Sequence, residues 1–368
     1  MASSKLKKIF FFFDSRATFA YSNNVIKIFK KNKKKFDILV SGNYLEKKMK
    51  IDESLFRNNK LKIFAKVKFK SPDNKLSSWP ISFGKAMIEY AKILSKSKPE
   101  IVVLTGDRIE TLCMCITCAY MNIPTAHIQA GDKSGHIDDL SRSAIAKFSN
   151  IHFAPSKEAY DRLLRWGEHK KRIFLTGAPQ LDDINLANQL KKNYFVLIYH
   201  PVLNEQKDIN NQIMNILKAI NKSKIKVYWI YPNNDMGFVK ILKRINKTRN
   251  KNITIIPNLE RKSFLKLLSE SIGMIGNSSS GIIEASLYKI PVINIGNRQQ
   301  GRPQSNNIVN CSPTARNIIK KIKFISNNKK FITALKKTKN PFYVKNSSQQ
   351  IYKILTNLQK KDKLLFKY

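Results

Sequence analysis

Residues 101–107 read IVVLTGD: four aliphatic side chains and a threonine, then glycine and aspartate. A run this short and this uniformly apolar has no polar face. It predicts a parallel strand covered on both sides, with Gly106 and Asp107 in the polar loop where the strand ends. The same form recurs in both directions. IFFFF (9–13) and FDILVSG (36–42) precede it, and IPTAHIQAGD (123–132), IHFAPS (151–156) and IFLTGAP (173–179) follow. A second series then begins: YFVLIYHP (194–201), IKVYWIYP (225–232), ITIIPN (253–258), MIGNSS (274–279) and PVINIGN (291–297). The intervening stretches, among them PQLDDINLANQLKK (179–192) and SFLKLLSES (263–271), have the length and period of helices. Alternation of this kind predicts an α/β protein with parallel sheets, and two series predict two Rossmann-like domains. We expect an N-terminal domain over 1–185 and a C-terminal domain over 186–345. Residues 346–368 should form a helix and basic tail that pack back on the first domain.

Composition bounds the partners. With 42% hydrophobic residues the chain is globular in class. Its net charge of +43 invites polyanions, but the lysines are scattered (KKNKKK, 30–35; NNKK, 327–330), with no basic repeat or aromatic platform. The charge therefore predicts a general pull on phosphate-bearing small molecules, not a nucleic-acid partner. The N-terminal MASSKLKKIFFFFDSRATFA mimics a secretion signal, yet its apolar run, Ile9–Phe13, is halted by Asp14 and Arg16. No run approaches the roughly 18 residues of a membrane span. A cytoplasmic protein without membrane insertion is expected. Cys113, Cys115 and Cys118 lack the paired spacing of a metal site, and Cys311 lies far off, so core thiols and no metal are expected.

In open α/β sheets ligands bind where strands end. The chain has only 13 glycines, and eight of them (Gly106, Gly131, Gly135, Gly177, Gly276, Gly281, Gly296, Gly301) fall in loops just after proposed strands, where glycine permits close ligand approach. The strongest local candidate is GNSSSGIIEAS (276–286). A strand ends, a helix begins, and the free N–H groups with Ser278, Ser279 and Gly281 suit a diphosphate. Glu284 is placed to accept ribose hydroxyls. A serine cap alone would explain the serines equally well. Arg298 and Arg302, past the next strand, can neutralise phosphate. In the first domain, Asp107, Asp132, Asp138 and Asp139 crowd two strand-end loops, as a general acid and base would require. His200 ends the first strand of the second series, and Arg16 follows the first strand of all. His127, inside IPTAHIQ, is expected to be a core histidine. Neither GxGxxG nor GxxxxGK[ST] occurs, so nicotinamide and P-loop chemistry have no motif.

Taken in order, TGDR (105–108), HIQAGDKSGHIDDLSRSAIAKFSNIHFAPS (127–156), RLLRWGEHKKRIFLTGAPQLDDI (162–184), GNSSSGIIEAS and NIGNRQQGRP (294–303) resemble the UDP-N-acetylglucosamine 2-epimerases. The likeness is to the hydrolysing branch, which feeds sialic, legionaminic and related nonulosonic acid synthesis. It implies a GT-B architecture with the substrate in an inter-domain cleft, and a homodimer or homotetramer. It also implies elimination of the nucleoside diphosphate from a UDP- or GDP-linked amino sugar. A glycal remains, and water adds to release the free 2-epimer without cofactor. Carried over by position, Asp107 and Asp138 are acidic site residues and His200 the second-domain histidine. Ser278, Ser279, Glu284, Arg298 and Arg16 are nucleotide-binding residues. Two positions depart from the family: Gln129 stands where a catalytic glutamate is usual, and Thr18 where an acid is frequent. An amide takes no proton as a base. Either Asp132 assumes that role, or the roles are redistributed, or the sugar differs, or activity is lost. A non-hydrolysing epimerase, a GT-B glycosyltransferase and an inactive basic binding protein remain as alternatives.

Overall fold

The computed structural model describes residues 5–42, 56–57, 59–69, 77–135, 137–186, 190, 192–205, 207–233, 235–359 and 362–366. They fall into two units. The first takes the described residues through Lys133, then Ile137–Asp183, then those from Phe342 onward; the second takes Ser134, Gly135 and the described part of Ile184–Pro341.

The first unit is a parallel sheet in the order β3-β2-β1-β4-β5-β6-β7. Its strands are β1 (Ile9–Phe13), β2 (Asp37–Ser41), β3 (Ala65–Val67), β4 (Ile101–Thr105), β5 (Thr125–Ile128), β6 (Ile151–Ala154) and β7 (Ile173–Leu175). Helices α1 (Arg16–Lys31), α2 (Ser78–Ser97), α3 (Ile109–Tyr120), α4 (Asp138–Phe148) and α5 (Lys157–Arg165) connect them. β1 explains the unbroken IFFFF. Side chains alternate across a strand, and helices cover both faces here. Phe11 meets Phe29 of α1 edge-on at 5.4 Å, whereas Phe12 meets Tyr90 of α2 at 5.6 Å on the opposite face. α1 starts at a capping box: the Ser15 hydroxyl accepts from the Thr18 N–H, and the Thr18 hydroxyl accepts from the Ser15 N–H. Thr18 is thus engaged locally.

The second unit repeats the plan with strand order β10-β9-β8-β11-β12-β13, all parallel. The strands are β8 (Phe195–Ile198), β9 (Val227–Ile230), β10 (Ile253–Ile256), β11 (Gly273–Gly276), β12 (Val292–Ile295) and β13 (Ile308–Cys311). Its helices are α6 (Ile209–Ser223), α7 (Phe238–Asn246), α8 (Arg261–Glu270), α9 (Ser279–Ile283), α10 (Ala315–Asn327) and α11 (Lys329–Leu335). Two Rossmann-like halves are therefore present. β3 and β13 carry too little apolar pattern to announce themselves: both are edge strands, reading AKV and IVNC.

The chain finishes in the first unit. α12 (Ser347–Asn357) lies along α1, with Tyr352 edge-on to Phe29 at 5.0 Å. The Ser348 N–H donates to the Asp182 carboxylate at 2.6 Å. The helix expected over PQLDDINLANQLKK is a correction. Among its described residues a 3₁₀ turn, Pro179–Asp183, stands in place of a helix, and residues 187–189 and 191 lie outside the described residues. The Pro179 carbonyl accepts from Asn24 at 3.1 Å and from Ser348 at 3.2 Å, so tertiary partners take what a helix would have used. Cys113, Cys115 and Cys118 are buried along α3, where burial pushes the Cys113 thiol up to about 12 and Cys118 well above its ordinary value. No described helix is long and apolar enough to cross a membrane.

Candidate active site

In the first sheet the connections reverse direction between β1 and β4, and strand-end loops converge beside such a switch point. Asp107 follows β4, and Gln129, Ala130, Gly131 and Asp132 make the turn after β5. The group that organises these loops is one the motifs did not announce. Arg142, on α4, is almost completely buried. Its guanidinium donates to the Asp132 carbonyl at 3.1 Å and to the Asp139 carboxylate at 2.5 Å, and it pairs with the Asp107 carboxylate. One planar cation thereby joins three segments, the geometry for which arginine is suited and lysine is not. The available signal was the i,i+3 spacing of Asp139 and Arg142 at a helix start.

The other acidic candidates fall as follows. Asp132 is buried, and its Oδ1 accepts from the Lys133 N–H at 2.9 Å. Asp138 is half-buried, in the first turn of α4 beside Asp139. Gln129 is buried with a φ of +69°, a left-handed conformation rare outside glycine and typical of functional turns. Its amide donates to Gln180 Oε1 at 3.0 Å. His127 is the core histidine expected. Its Nε2 lies 2.6 Å from the Gly106 carbonyl, and burial drives its pKa down to about 3. The backbone of Arg16 opens α1; its side chain lies outside the described residues.

In the second sheet the reversal lies between β8 and β11. Two loops interlock there. The His200 N–H donates to Asn277 Oδ1 at 2.7 Å, and the Asn277 amide donates back to the His200 carbonyl at 2.9 Å. Gly276 is obligatory: φ is +132°, and a Cβ would sit 1.9 Å from the Ile198 carbonyl oxygen. His200 Nδ1 accepts from the Asn233 N–H at 3.0 Å, which places the hydrogen of the neutral ring on Nε2. Arg298 and Gln299 both donate to the Asn277 carbonyl, at 3.2 and 2.9 Å, and Arg298 also lies 3.8 Å from Asp235. Arg302 in turn bonds Gln299. His200, Asn277, Ser278 and Arg298 thus form one cluster.

The start of α9 is more modest than expected. The helix has five residues, and the Ser278 hydroxyl accepts from the Ser280 N–H at 3.4 Å as its cap. Glu284 is buried at the far end of that helix and accepts from Arg261 at 3.3 Å. Asn277, Arg142, Asp235 and Arg261 are the partners sequence reasoning missed. All four act by holding another named residue. Among the described residues no group of His, Cys, Asp and Glu could hold a metal ion.

Each of the two Rossmann-like sheets thus carries a polar loop cluster at its switch point, where α/β folds of this class bind their ligands. The family model for UDP-N-acetylglucosamine 2-epimerase matches residues 27–356, and the chain belongs to that family. A hydrolysing UDP-N,N'-diacetylbacillosamine 2-epimerase of Legionella pneumophila is 34% identical over 252 residues, covering 65% of this chain and 67% of its own. A GDP/UDP-N,N'-diacetylbacillosamine 2-epimerase of Campylobacter jejuni, also hydrolysing, is 32% identical over 62% of this chain and 64% of its own. The aligned parts thus span about two thirds of these relatives. The crystal structure of the Methanocaldococcus jannaschii UDP-GlcNAc 2-epimerase with UDP-GlcNAc and UDP covers 95% of the chain with a TM-score of 0.79 at 23% identity, a likeness of fold.

Proposed function

We propose that the protein is a hydrolysing nucleotide-sugar 2-epimerase. Its substrate is a UDP- or GDP-linked amino sugar, either UDP-N-acetylglucosamine or a UDP- or GDP-linked 2,4-diacetamido-2,4,6-trideoxyhexose, the class to which the N,N'-diacetylbacillosamine named for the relatives above belongs. The observation that carries this is the Arg142 cluster, because it gathers Asp107, Asp139 and the Asp132 loop at strand ends in a chain of this family. First-unit carboxylates do the proton chemistry. One takes the proton from carbon 2 while the bond from carbon 1 to the diphosphate oxygen breaks, leaving a glycal. Water then delivers hydroxyl to carbon 1, and a proton reaches carbon 2 from the opposite face. Asp107, Asp132 and Asp138 are the candidate proton carriers.

The second unit takes the nucleotide. Arg298, His200 and the start of α9 lie together at the strand ends of this sheet, and a cation with nearby N–H groups is what a leaving diphosphate requires. Gln129 is assigned to positioning, since its amide is held by Gln180. Incubation with a panel of UDP- and GDP-linked amino sugars tests this directly: nucleoside diphosphate and a free sugar should appear together from at least one. Product still joined to UDP would point to the non-hydrolysing reaction instead.

A further inference from the structure

Two carboxyls stand outside this mechanism. Asp14, just past β1, is fully buried; its Oδ1 accepts from the Thr18 hydroxyl at 3.1 Å and its Oδ2 from the Thr111 hydroxyl at 2.6 Å. Glu110, in the first turn of α3, is also buried and accepts from Arg108 Nε at 3.3 Å. Gly42, at the end of β2, closes the group. Its φ is +64°, and a Cβ there would lie 2.8 Å from both the Asp14 carbonyl oxygen and Glu110 Oε1. The ends of three neighbouring strands, β2, β1 and β4, therefore meet around two acids and one guanidinium.

We propose that Asp14 and Glu110 are positioning residues for the epimerase reaction, fixing the loop after β1 through Thr18 and Thr111 and the side chain of Arg108 next to Asp107. The inference rests on the function proposed above. The groups facing the pair are Arg108 from its own loop, Tyr90 from α2, whose hydroxyl donates to Ser41 at 2.7 Å, and Cys113 one turn along α3. Only Arg108 among these brings positive charge, so two ionised carboxylates in this buried space leave negative charge uncompensated. Burial pushes Glu110 up to about 7, against the opposing pull of Arg108, and raises Asp14 in the same direction. Glu110 therefore holds its proton at low pH and gives it up near neutrality. The Glu110 carboxylate then grips Arg108 by charge.

The test is the pH dependence of kcat in wild type, Glu110→Gln and Asp14→Asn, with infrared titration of the carboxyl C=O band. Wild-type kcat should rise through about pH 7. Glu110→Gln should lose that limb, with kcat down by about 10²-fold at pH 8, KM little changed, and much less loss at pH 6. A protonated-carboxyl band that titrates near 7 in wild type should vanish in Glu110→Gln. That measurement on wild type stands even if the variants fold poorly. A uniform loss at every pH, or a wild-type band that does not titrate, overturns the positioning role. Wild type releasing no nucleotide from any amino-sugar substrate overturns the function itself, and the positioning role with it.

Discussion

Gln129 donates its side-chain amide to Gln180 Oε1 at 3.0 Å, and both side chains are buried. Gln129, which stands where the family's catalytic glutamate is usual, is therefore a hydrogen-bonded member of the β5 turn. A proton taken from carbon 2 must go elsewhere, and Asp132, three residues on in the same turn, is the acid nearest in the chain. Asp132→Asn should lower kcat by about 10²-fold or more. Gln129→Leu should chiefly cost stability, about 1–3 kcal/mol, because Gln180 loses its donor. Nucleotide release and denaturant unfolding of the two variants separate the effects. Comparable kcat losses in both would refute the division of roles.

Arg142 makes the second prediction. Arg142→Met removes the cation shared by Asp107, Asp139 and the Asp132 carbonyl. Breaking a fully buried pair costs about 3–5 kcal/mol, but both carboxylates keep about a fifth of their side-chain exposure. The expected loss is about 2 kcal/mol, with kcat falling far more than UDP affinity. Arg142→Lys should not restore activity, since a point charge does not span three acceptors. Full activity in Arg142→Lys would show that geometry is dispensable there.

Much of this was legible in advance, and the limits have physical causes. Apolar runs such as Ile101–Thr105 announced parallel strands because both faces of each sheet are covered. Loops at strand ends were marked by Gly106, Gly131 and Gly276, whose positive φ angles glycine alone adopts readily. Asp235 and Arg261 stayed hidden because their roles are long-range pairings that spacing along the chain does not encode, and the same holds for Arg142's link to Asp107, only its i,i+3 pairing with Asp139 being local. The turn at Pro179–Asp183 was read as a helix because its tertiary hydrogen bonds leave no trace in local periodicity.

The second unit supplies the third prediction. Arg298→Ala should weaken UDP binding by about 10–100-fold, the value of one hydrogen bond to a charged group, with a modest loss of stability because the Asn277 carbonyl loses one of its two donors. Ser279→Ala should have a smaller effect in the same direction. Calorimetric titration with UDP measures both. Unchanged affinity in Arg298→Ala would remove it from the nucleotide site.

Two buried groups set opposing pH trends in stability. His127 is held to about 3 by burial, against 6.5 unfolded, so the unfolded chain binds the extra proton and stability falls as pH drops from 6.5 toward 3. Glu110 is raised to about 7 from 4.5, so the folded chain binds the extra proton and stability falls as pH rises from 4.5 through 7. The two slopes oppose one another between pH 5 and 6.5. Glu110→Gln removes one of them, and its unfolding free energy should climb with pH more steeply than that of wild type. Urea titrations at pH 5 and 6.5 decide it; parallel slopes would contradict the assignment.

The central claim is elimination across carbons 1 and 2 followed by hydration of the glycal, and turnover in D₂O tests it most directly. Mass spectra of the products from UDP-linked N-acetylglucosamine and UDP-linked diacetamidotrideoxyhexose should show, for the true substrate, UDP together with a free sugar carrying one deuterium at carbon 2. A free sugar without deuterium, or a deuterated sugar still bound to UDP, would contradict it.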